Sequence, residues 1–375
     1  MTSEWNHSTI NDVCVLVTDG SHSSPKSVND GKYMVSVKDF TDYGFDFASC
    51  RMISNDDYET LKRNGCVPQI DDILIGKDGA RFFEDIIIYR QREKPALLSS
   101  IAILRCDKSK ILPDFLYYVL RTPSFRQDVK DNYGSGSAIP RIILKDFKRM
   151  MVSYPSLEKQ QAIISVLTAI DSKIQANTEI NDNLQQQAQA IYSSMFIDNP
   201  DPAWSHGHLS DLITVKYGKD HKKLADGIYP VYGSGGIMRY VERPLYNKES
   251  VLIPRKGTLN NVMYVNQPFW SVDTMFYTEM KLPNVAKFVY HFVKAKDLAS
   301  MNAGSAVPSM TTDILNAMEV VIPSASALEE FESLVAPMYE AMEANDVQSK
   351  ALSQIRDTLL PKLMSGEIDV SDVQL

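Results

Sequence analysis

Two long stretches of the chain place apolar residues at intervals of three and four positions, with polar residues between them. This heptad spacing predicts two long helices, each with one apolar seam. The first must end before Pro200, and the second is expected to begin with a Ser326–Glu329 capping box and to close at Gly366. The seam positions are Ile163, Leu167, Ile170, Ile174, Ile180, Leu184, Ala188, Ile191 and Met195 in the first stretch, and Leu328, Phe331, Val335, Met338, Met342, Leu352, Ile355, Leu359 and Leu363 in the second.

The two seams are expected to pair with each other. Asn177 and Asn345 occupy equivalent seam positions, and a polar seam residue can fix register and partner at some cost in stability. A helix of about 40 residues is roughly 60 Å long at ~1.5 Å per residue, which is more than its own domain can cover. We therefore predict an antiparallel pair. The alternative is that each helix lies alone on its own domain.

The remaining sequence alternates short β-branched and aromatic runs with Gly, Asn and Asp turns, as at residues 85–89, 99–105, 261–265 and 275–277. Such runs predict strands. Helical patterns near 113–121 and, more faintly, near 285–293 accompany them. The globular parts of the chain are therefore predicted to be mixed α and β.

The chain also repeats itself. GSAIP at 136–140 recurs as GSAVP at 304–308, an offset of 168. Earlier matches keep the same order at larger offsets, 178 for DILI at 72–75 and 199 for Trp5, so copy one carries extra loop residues in its first half. The predicted fold is α+β, with two duplicated mixed α/β domains separated by two antiparallel coiled-coil helices in a pseudo-twofold arrangement. The predicted boundaries are 1–155 and 203–323 for the domains, and 156–202 and 324–375 for the helices.

Charge separates along the same boundaries. The 375 residues carry a net charge of −8, yet the two helical segments alone contribute −11. The globular parts are neutral and slightly basic, so an anionic partner is not excluded there. The chain begins without a basic and apolar leader and contains no apolar run long enough for a membrane span, which favours a cytoplasmic protein without membrane contact.

Four segments resemble the specificity subunits of type I restriction-modification systems, and the resemblance extends over nearly the whole chain. PSLEKQQAI at 155–163 looks like the family's first helix start, and LLPKLMSGEI at 359–368 is close to its C-terminal signature. YPVYGSGG at 229–236 and IPRKGT at 253–258 are similar to one variety of its target recognition domain. Ser156 replaces a family proline, and the second helix start lacks the glutamine, so these departures weaken the helix-start assignment.

The resemblance implies that each globular half reads one part of a split, asymmetric site on double-stranded DNA. It implies that the helices set the spacer and dock two modification (methyltransferase) subunits, joined by restriction and translocase subunits. S-adenosylmethionine, ATP and Mg²⁺ would be bound by those partners, and this chain would hold no cofactor. Seam residues expected to pair the helices and dock partners are Ile163, Leu167, Ile170, Ile174, Asn177, Leu184, Phe331, Val335, Met338, Met342, Asn345, Leu352 and Leu359.

The catalytic motifs that this sequence most nearly matches are incomplete, which favours a chain without enzymatic activity. The nearest match to an adenine-methyltransferase loop, NPDP at 199–202, lacks the aromatic residue. GSGG at 233–236 lacks the Lys-Ser/Thr of a P-loop and the third glycine of a Rossmann turn, and DSK at 171–173 lies on the heptad helix rather than on a nuclease strand. Cys14, Cys50, Cys66 and Cys106 show no close-pair spacing, so neither a metal site nor a disulfide framework is expected.

Cations and small polar residues beside glycine turns are the candidate DNA contacts, because they can approach phosphates and base edges. Tyr232, Ser234 and Asn260 are the candidate base-edge readers. The full set is Lys77, Arg81, Ser137, Arg141, Lys145, Lys219, Lys222, Lys223, Tyr232, Ser234, Arg255, Lys256, Asn260, Ser305 and Ser309. Two alternatives stay open, a coiled-coil adaptor that binds protein and a specificity module of a related phage-defence system.

Overall fold

A computed structural model describes residues 5–79, 81–134, 140–301 and 309–370. The chain divides into two compact units. Unit 1 comprises Met1–Gln175 with Gln348–Leu375, and unit 2 comprises Ala176–Val347. The division runs through the two long helices, so each unit contains one globular half together with a portion of each helix.

Unit 1 contains eleven strands among the described residues: β1 Asn6–Thr9, β2 Cys14–Asp19, β3 Lys32–Val35, β4 Phe40–Thr41, β5 Gly44–Phe45, β6 Arg51–Ile53, β7 Ile73–Gly76, β8 Ile86–Ile88, β9 Ala96–Leu97, β10 Ile101–Cys106 and β11 Met151–Tyr154. Its shorter helices are α1 Ile10–Val13, α2 Asn55–Arg63, α3 Pro113–Arg121, α4 Pro123–Asn132 and α5 Leu144–Arg149. The first long helix is α6 Leu157–Ser193, which continues as a π-helical turn over Ser194–Asp198.

Unit 2 contains nine strands among the described residues: β12 Ser205–His208, β13 Ile213–Tyr217, β14 Asp226–Gly233, β15 Gly236–Val241, β16 Ser250–Pro254, β17 Met263–Val265, β18 Trp270–Ser271, β19 Met275–Met280 and β20 Glu319–Ile322. Its helices are α7 Leu209–Leu212, α8 Ala286–Lys294 and α9 Thr312–Asn316, and the second long helix is α10 Ala325–Ser365.

The main sheet of unit 1 has the order β2-β10-β7-β8, and the main sheet of unit 2 has the order β13-β19-β16-β17. Three-stranded sheets β6-β3-β9 and β15-β14-β18, and two-stranded sheets β1-β11 and β12-β20, complete the correspondence. Of the four runs that predicted strands, 99–105 and 275–277 lie in the central strands β10 and β19, and 85–89 and 261–265 lie in the edge strands β8 and β17. The other central strand of unit 1 is β7, whose Ile73, Leu74 and Ile75 are fully buried. The duplication and the mixed α/β class predicted from the sequence are confirmed.

Copy one carries an insertion that copy two lacks. The two-stranded β4–β5 sheet and the helix α2 have no counterpart among the described residues of unit 2. They lie between the match of residues 30–33 with 226–229, at an offset of 196, and the match of DILI at an offset of 178. They therefore account for the larger offsets in the first half of the repeat.

A buried glutamine explains the start of the first long helix. Gln160 is completely buried, and its Oε1 accepts a hydrogen bond from Leu112 N at 2.9 Å. Its Nε2 donates to the carbonyls of Lys110 and Pro155, each at 3.0 Å. One side chain thus satisfies three backbone groups where α6 leaves the globular half. Leu328, which occupies the equivalent place 168 residues later, is buried in the apolar core instead.

Within each unit the two long helices run antiparallel. In unit 1, Asp171 pairs with Arg356 at 2.8 Å and Lys159 with Asp369 at 3.3 Å. In unit 2, Asn177 Nδ2 donates to Asn345 O at 3.3 Å and Asn181 Nδ2 donates to Met342 O at 3.2 Å.

Burial separates the seam residues into two groups. Ile163, Leu167, Asn177, Phe331 and Val335 are buried. Ile170, Ile174, Leu184, Met338, Met342, Asn345, Leu352 and Leu359 are half-buried.

Two details of the helix predictions were wrong. Ile180 and Ile355, assigned to the seam, are 45% and 49% exposed. The neighbouring residues make the polar contacts between the helices instead, Asn181 with Met342 and Asp346, and Arg356 with Asp171. The helix α10 is capped by Ser324 and not by Ser326, since Ser324 Oγ accepts from Ala327 N at 3.3 Å. The cap at Gly366 was predicted correctly, with φ at 76°.

Gly366→Ala is expected to lower the free energy of unfolding by about 1–2 kcal/mol, because the left-handed conformation is costly for a residue with a Cβ. The added Cβ would also lie 2.8 Å from Trp5 Nε1. Gly235→Ala is the matched control, since its Cβ would meet no atom within 4 Å. Urea denaturation of both variants measures the difference, and equal stabilities would contradict the assigned cap.

No helix in the described ranges is both long enough and apolar enough to span a membrane.

Candidate nucleic-acid interface

In unit 1 two loop segments meet at one end of the main sheet. Asp78 and Arg141 form a β-bridge, and Gly79 N donates to Pro140 O at 2.9 Å. Ile142 N donates to Lys77 O at 3.0 Å. The turn after β7 is therefore held against the segment before α5, which brings the predicted residues Lys77, Arg81 and Arg141 into one region.

The same two segments meet in unit 2. Lys256 and Ser309 form a β-bridge, and Met310 N donates to Arg255 O at 2.9 Å. Ser309 is the repeat equivalent of Arg141, at the offset of 168. The duplicated chain thus builds the same loop platform twice, each time from a turn that follows the third strand of the main sheet in spatial order.

A loop with three exposed lysines borders the platform of unit 2. Lys219 N donates to Ser271 O at 2.8 Å, and Trp270 Nε1 donates to Lys219 O at 2.8 Å. On the other side of residues 271–274, the amides of Arg255 and Lys256 both donate to Thr274 O, at 2.9 and 3.2 Å. Lys219 and Lys256, both exposed, therefore flank one short loop, and the exposed Lys222 and Lys223 follow Lys219 within four residues of the chain.

Arg239 holds the lysine loop in place. Its guanidinium donates to Leu224 O at 3.1 Å and to the Asp226 carboxylate at 2.6 Å. It lies on β15, so the hairpin β14–β15 fixes the segment that carries the lysines. The hairpin turn also contacts the platform, because Asn261 Nδ2 donates to Ser234 O at 2.8 Å.

Two of the three candidate base readers make polar contacts within the chain. Tyr232 is 8% exposed, and its hydroxyl accepts a hydrogen bond from Gln267 at 3.3 Å. The Asn260 amide is occupied at both ends, donating to Asp297 Oδ1 at 3.0 Å and accepting from Ala299 N at 3.0 Å. Ser234 is half-buried at the turn and keeps its place beside the platform.

Lys77 also departs from its predicted role as an exposed cation. Its ammonium lies 3.3 Å from the buried Asp19 carboxylate, and its side chain is 8% exposed. The equivalent residue, Arg255, is half-buried with its guanidinium 5.4 Å from the Tyr217 ring centroid. Asp19 and Tyr217 are equivalent in turn, because each ends the strand that pairs with the central strand of its sheet. The cation at this repeat position is therefore neutralised by a carboxylate in unit 1, whereas in unit 2 it lies over an aromatic ring and keeps its charge.

The other predicted contacts differ in availability. Arg81 is 71% exposed on its side chain but pairs with Asp85 at 2.7 Å. Arg141 and Lys145 are exposed. Ser137 and Ser305 lie outside the described residues.

The sequence reasoning missed two residues of these faces. Lys38 is exposed and lines a groove of about 450 Å³ with Asp78, Gly79 and Arg81. It belongs to the stretch found only in copy one, so no repeat match pointed to it. Tyr217 could have been found from its position two residues before Lys219 and from its equivalence to Asp19 at the offset of 198.

Each unit also joins its globular half to the long helices through a polar cluster. In unit 1, Tyr118 OH donates to Asp171 Oδ2 at 2.7 Å, and Arg356 donates to Asp171 Oδ1 at 2.8 Å. In unit 2, His291, the counterpart of Tyr118, bonds to Gln189 of α6 and Tyr339 of α10. Burial lowers the pKa of His291 to about 4 and raises that of Tyr118 well above its usual range.

Within the described ranges, no group of three or more His, Cys, Asp or Glu side chains is arranged to hold a metal ion. Cys14, Cys66 and Cys106 are buried thiols, and Cys50 is half-buried.

Comparison with known proteins identifies the family. The family described as "Type I restriction modification DNA specificity domain" matches residues 2–186 and 203–331. The type I restriction enzyme MjaIX specificity subunit of Methanocaldococcus jannaschii is 25% identical over 310 residues, covering 71% of each chain. The HindI specificity subunit of Haemophilus influenzae is 21% identical over 381 residues, covering 71% of this chain and 80% of its own.

A solved structure has the same fold. The crystal structure of the type I restriction-modification system S subunit from M. genitalium covers 96% of both chains with a TM-score of 0.59 at 18% identity. The family match accounts for both globular halves and most of the first long helix, and the resemblance noted in the sequence is confirmed. The chain belongs to the type I restriction-modification DNA specificity family.

Proposed function

We propose that this chain is the DNA sequence-specificity subunit of a type I restriction-modification complex and that each unit reads one part of a bipartite, asymmetric site. The observation that carries the proposal is the duplicated loop platform, with Arg141 exposed on one copy and Lys256 on the other. Exposed cations at strand ends suit the positioning of a phosphate backbone, and the polar loops around them suit base readout.

The long helices serve the assembly in this proposal. Exposed apolar side chains remain on them within each unit, among them Ile180, Leu334 and Val347 in unit 2 and Ile355 in unit 1. Such side chains suit burial against partner subunits. We assign them to the docking of two modification subunits, with restriction subunits added to that core and the helices setting the spacer. S-adenosylmethionine, ATP and Mg²⁺ then belong to the partners, and this chain contributes recognition without catalysis.

Methylome sequencing tests the proposal. The full chain is expressed with its modification subunit in a host without adenine methylation. We expect one new methylated motif with two defined parts and a spacer of fixed length, because two reading units share one chain. The modification subunit alone is the control and should give no motif. A continuous motif, or no motif with both subunits present, would contradict the proposal and would favour the protein-binding adaptor.

A further inference from the structure

Three arginines from three helices line one pocket in unit 1. Arg121 ends α3, Arg126 lies on α4, and Arg356 lies on α10. The pocket has a volume of about 270 Å³. This is several times the ~30 Å³ that one water occupies in the liquid. None of the predicted DNA contacts lines it, and Arg81 lines the neighbouring groove together with Arg121 and Arg356.

Both oxygens of Asp171, a carboxylate close to these arginines, already accept hydrogen bonds from other side chains. Asp171 accepts from Tyr118 at one oxygen and from Arg356 at the other. Asp357, which also lines the pocket, pairs with Arg356 at 2.9 Å. Arg356 is therefore neutralised twice, and it is the arginine that the fold itself requires.

Arg121 and Arg126 are differently placed. Arg121 donates to the Tyr117 hydroxyl and stacks over the Tyr117 ring at 4.7 Å. Arg126 donates to the Glu84 carbonyl at 3.3 Å, and its Nε has no hydrogen-bond partner among the described residues. Within the described ranges, neither guanidinium lies within salt-bridge distance of a carboxylate.

Nearby carboxylates offset the burial of two of these arginines only in part. Burial lowers the pKa of Arg121, and the positive charges of Arg356 and Arg126 act in the same direction against the attraction of Asp171. Burial also lowers the pKa of Arg126, despite the opposing effect of Glu84, Asp85 and Asp357. A desolvated cation gains most from an anion that also accepts its hydrogen bonds.

We propose that this pocket binds one phosphate group, through the guanidinium groups of Arg121 and Arg126 with Arg356 beside them. The donors approach from three helices, and a tetrahedral phosphate presents oxygens in several directions, whereas a carboxylate presents two in one plane. The source is a free phosphate or a phosphate of the DNA backbone. The first assay uses no DNA, so this inference stands or fails independently of the proposed function.

The site belongs to copy one alone. Lys294 occupies the place of Arg121 at the end of α8, and Ala188 occupies the place of Arg356 at the offset of 168. One phosphate per chain is therefore expected, rather than two.

Isothermal titration of the full chain with inorganic phosphate at constant ionic strength tests the proposal. We expect one bound phosphate per chain, and at least about tenfold weaker binding for Arg126→Gln, which removes charge-assisted hydrogen bonds. Arg63→Gln is the matched control, since Arg63 is exposed on α2 of the same unit and should bind as the wild type. Equal phosphate binding by Arg126→Gln and Arg63→Gln would overturn the site, as would an undetectable wild-type interaction.

Two further measurements complete the test. Arg126→Lys keeps the positive charge but loses the planar guanidinium with its two parallel donors, so this variant should bind phosphate with intermediate affinity. Its circular dichroism spectrum verifies that the fold is intact. Acetate bound as tightly as phosphate would overturn the preference for a tetrahedral anion. In the assembled complex, a DNA-binding salt slope reduced by about one in Arg126→Gln identifies the backbone as the source. An unchanged slope with intact wild-type phosphate binding identifies free phosphate.

Discussion

Acidification from pH 7.5 to pH 4.5 is expected to destabilise unit 2 by roughly 2–3 kcal/mol through His291 alone. The side chain is completely buried, and its ring stacks on Tyr192 with centroids 5.5 Å apart. A neutral imidazole satisfies both of its contacts, because Nδ1 donates to Gln189 Oε1 at 2.8 Å and Nε2 accepts from Tyr339 OH at 3.0 Å. A protonated ring would lose the second bond and place a charge in an aromatic core.

The sign follows from the direction of the pKa shift. Burial lowers the pKa of His291 from 6.5 to about 4 in the folded protein. Between these values the unfolded chain binds more protons than the folded one, so stability falls as the pH falls from about 6.5 to about 4. Above that window, His291 contributes no pH dependence to the free energy of unfolding.

Urea unfolding at both pH values measures this effect. Two of the three tryptophans, Trp204 and Trp270, lie in unit 2, so a Trp5→Phe background reports on that unit by fluorescence. In this background His291→Gln should be less stable at pH 7.5 and should lose most of the difference between the two pH values. His206→Gln, at an exposed histidine, should keep the difference. A pH dependence unchanged by His291→Gln would refute the assignment.

The long helices and the duplication were predictable because apolar periodicity and internal repeats can be identified directly in the sequence. The heptad seams located both helices, and the ordered matches with a shrinking offset located the duplication and the inserted β4, β5 and α2. The exposure of Ile180 was not predictable. Whether a seam position is covered depends on the partner helix, where Asn345 and Asp346 bond to Asn181.

The surroundings of the interface residues were likewise not predictable from the sequence. Lys77 and Arg255 are equivalent in the repeat and both follow a buried strand, so the sequence treats them alike. Their surroundings are set by Asp19 and Tyr217, which are remote in sequence and adjacent only through the order of strands in each sheet. The contacts of Tyr232 with Gln267 and of Asn260 with Asp297 were not predictable for the same reason, since they form only in the folded chain.

Replacing Lys219, Lys222, Lys223 and Lys256 with alanine is expected to weaken DNA binding by the assembled complex at least ~100-fold at about 0.1 M salt. Each lysine that neutralises a phosphate contributes about 0.9 to the slope of log K against log salt concentration, so that slope should fall by about two to four. The hydrogen bonds that hold Lys219 against Ser271 and Trp270 use its backbone, so alanine preserves them. Stability should therefore change little, and the loss measures electrostatic contact.

A matched pair of single variants locates the contact on one end of the sheet. Lys256→Ala should reduce the slope by about one. Lys281→Ala makes the same change in charge at the opposite end of the sheet. Lys281 follows Met280, which pairs with the first residue of β13, whereas Lys219 lies just beyond the last residue of β13. Lys281 is exposed and donates to Ser210 O at 2.6 Å, and its removal should leave the slope unchanged. Fluorescence anisotropy from 50 to 200 mM salt resolves the two, as contacts of this kind weaken steeply over that range. Equal slopes for the two variants would mean that the lysines act only through the net charge of the chain and that the platform does not face the phosphates.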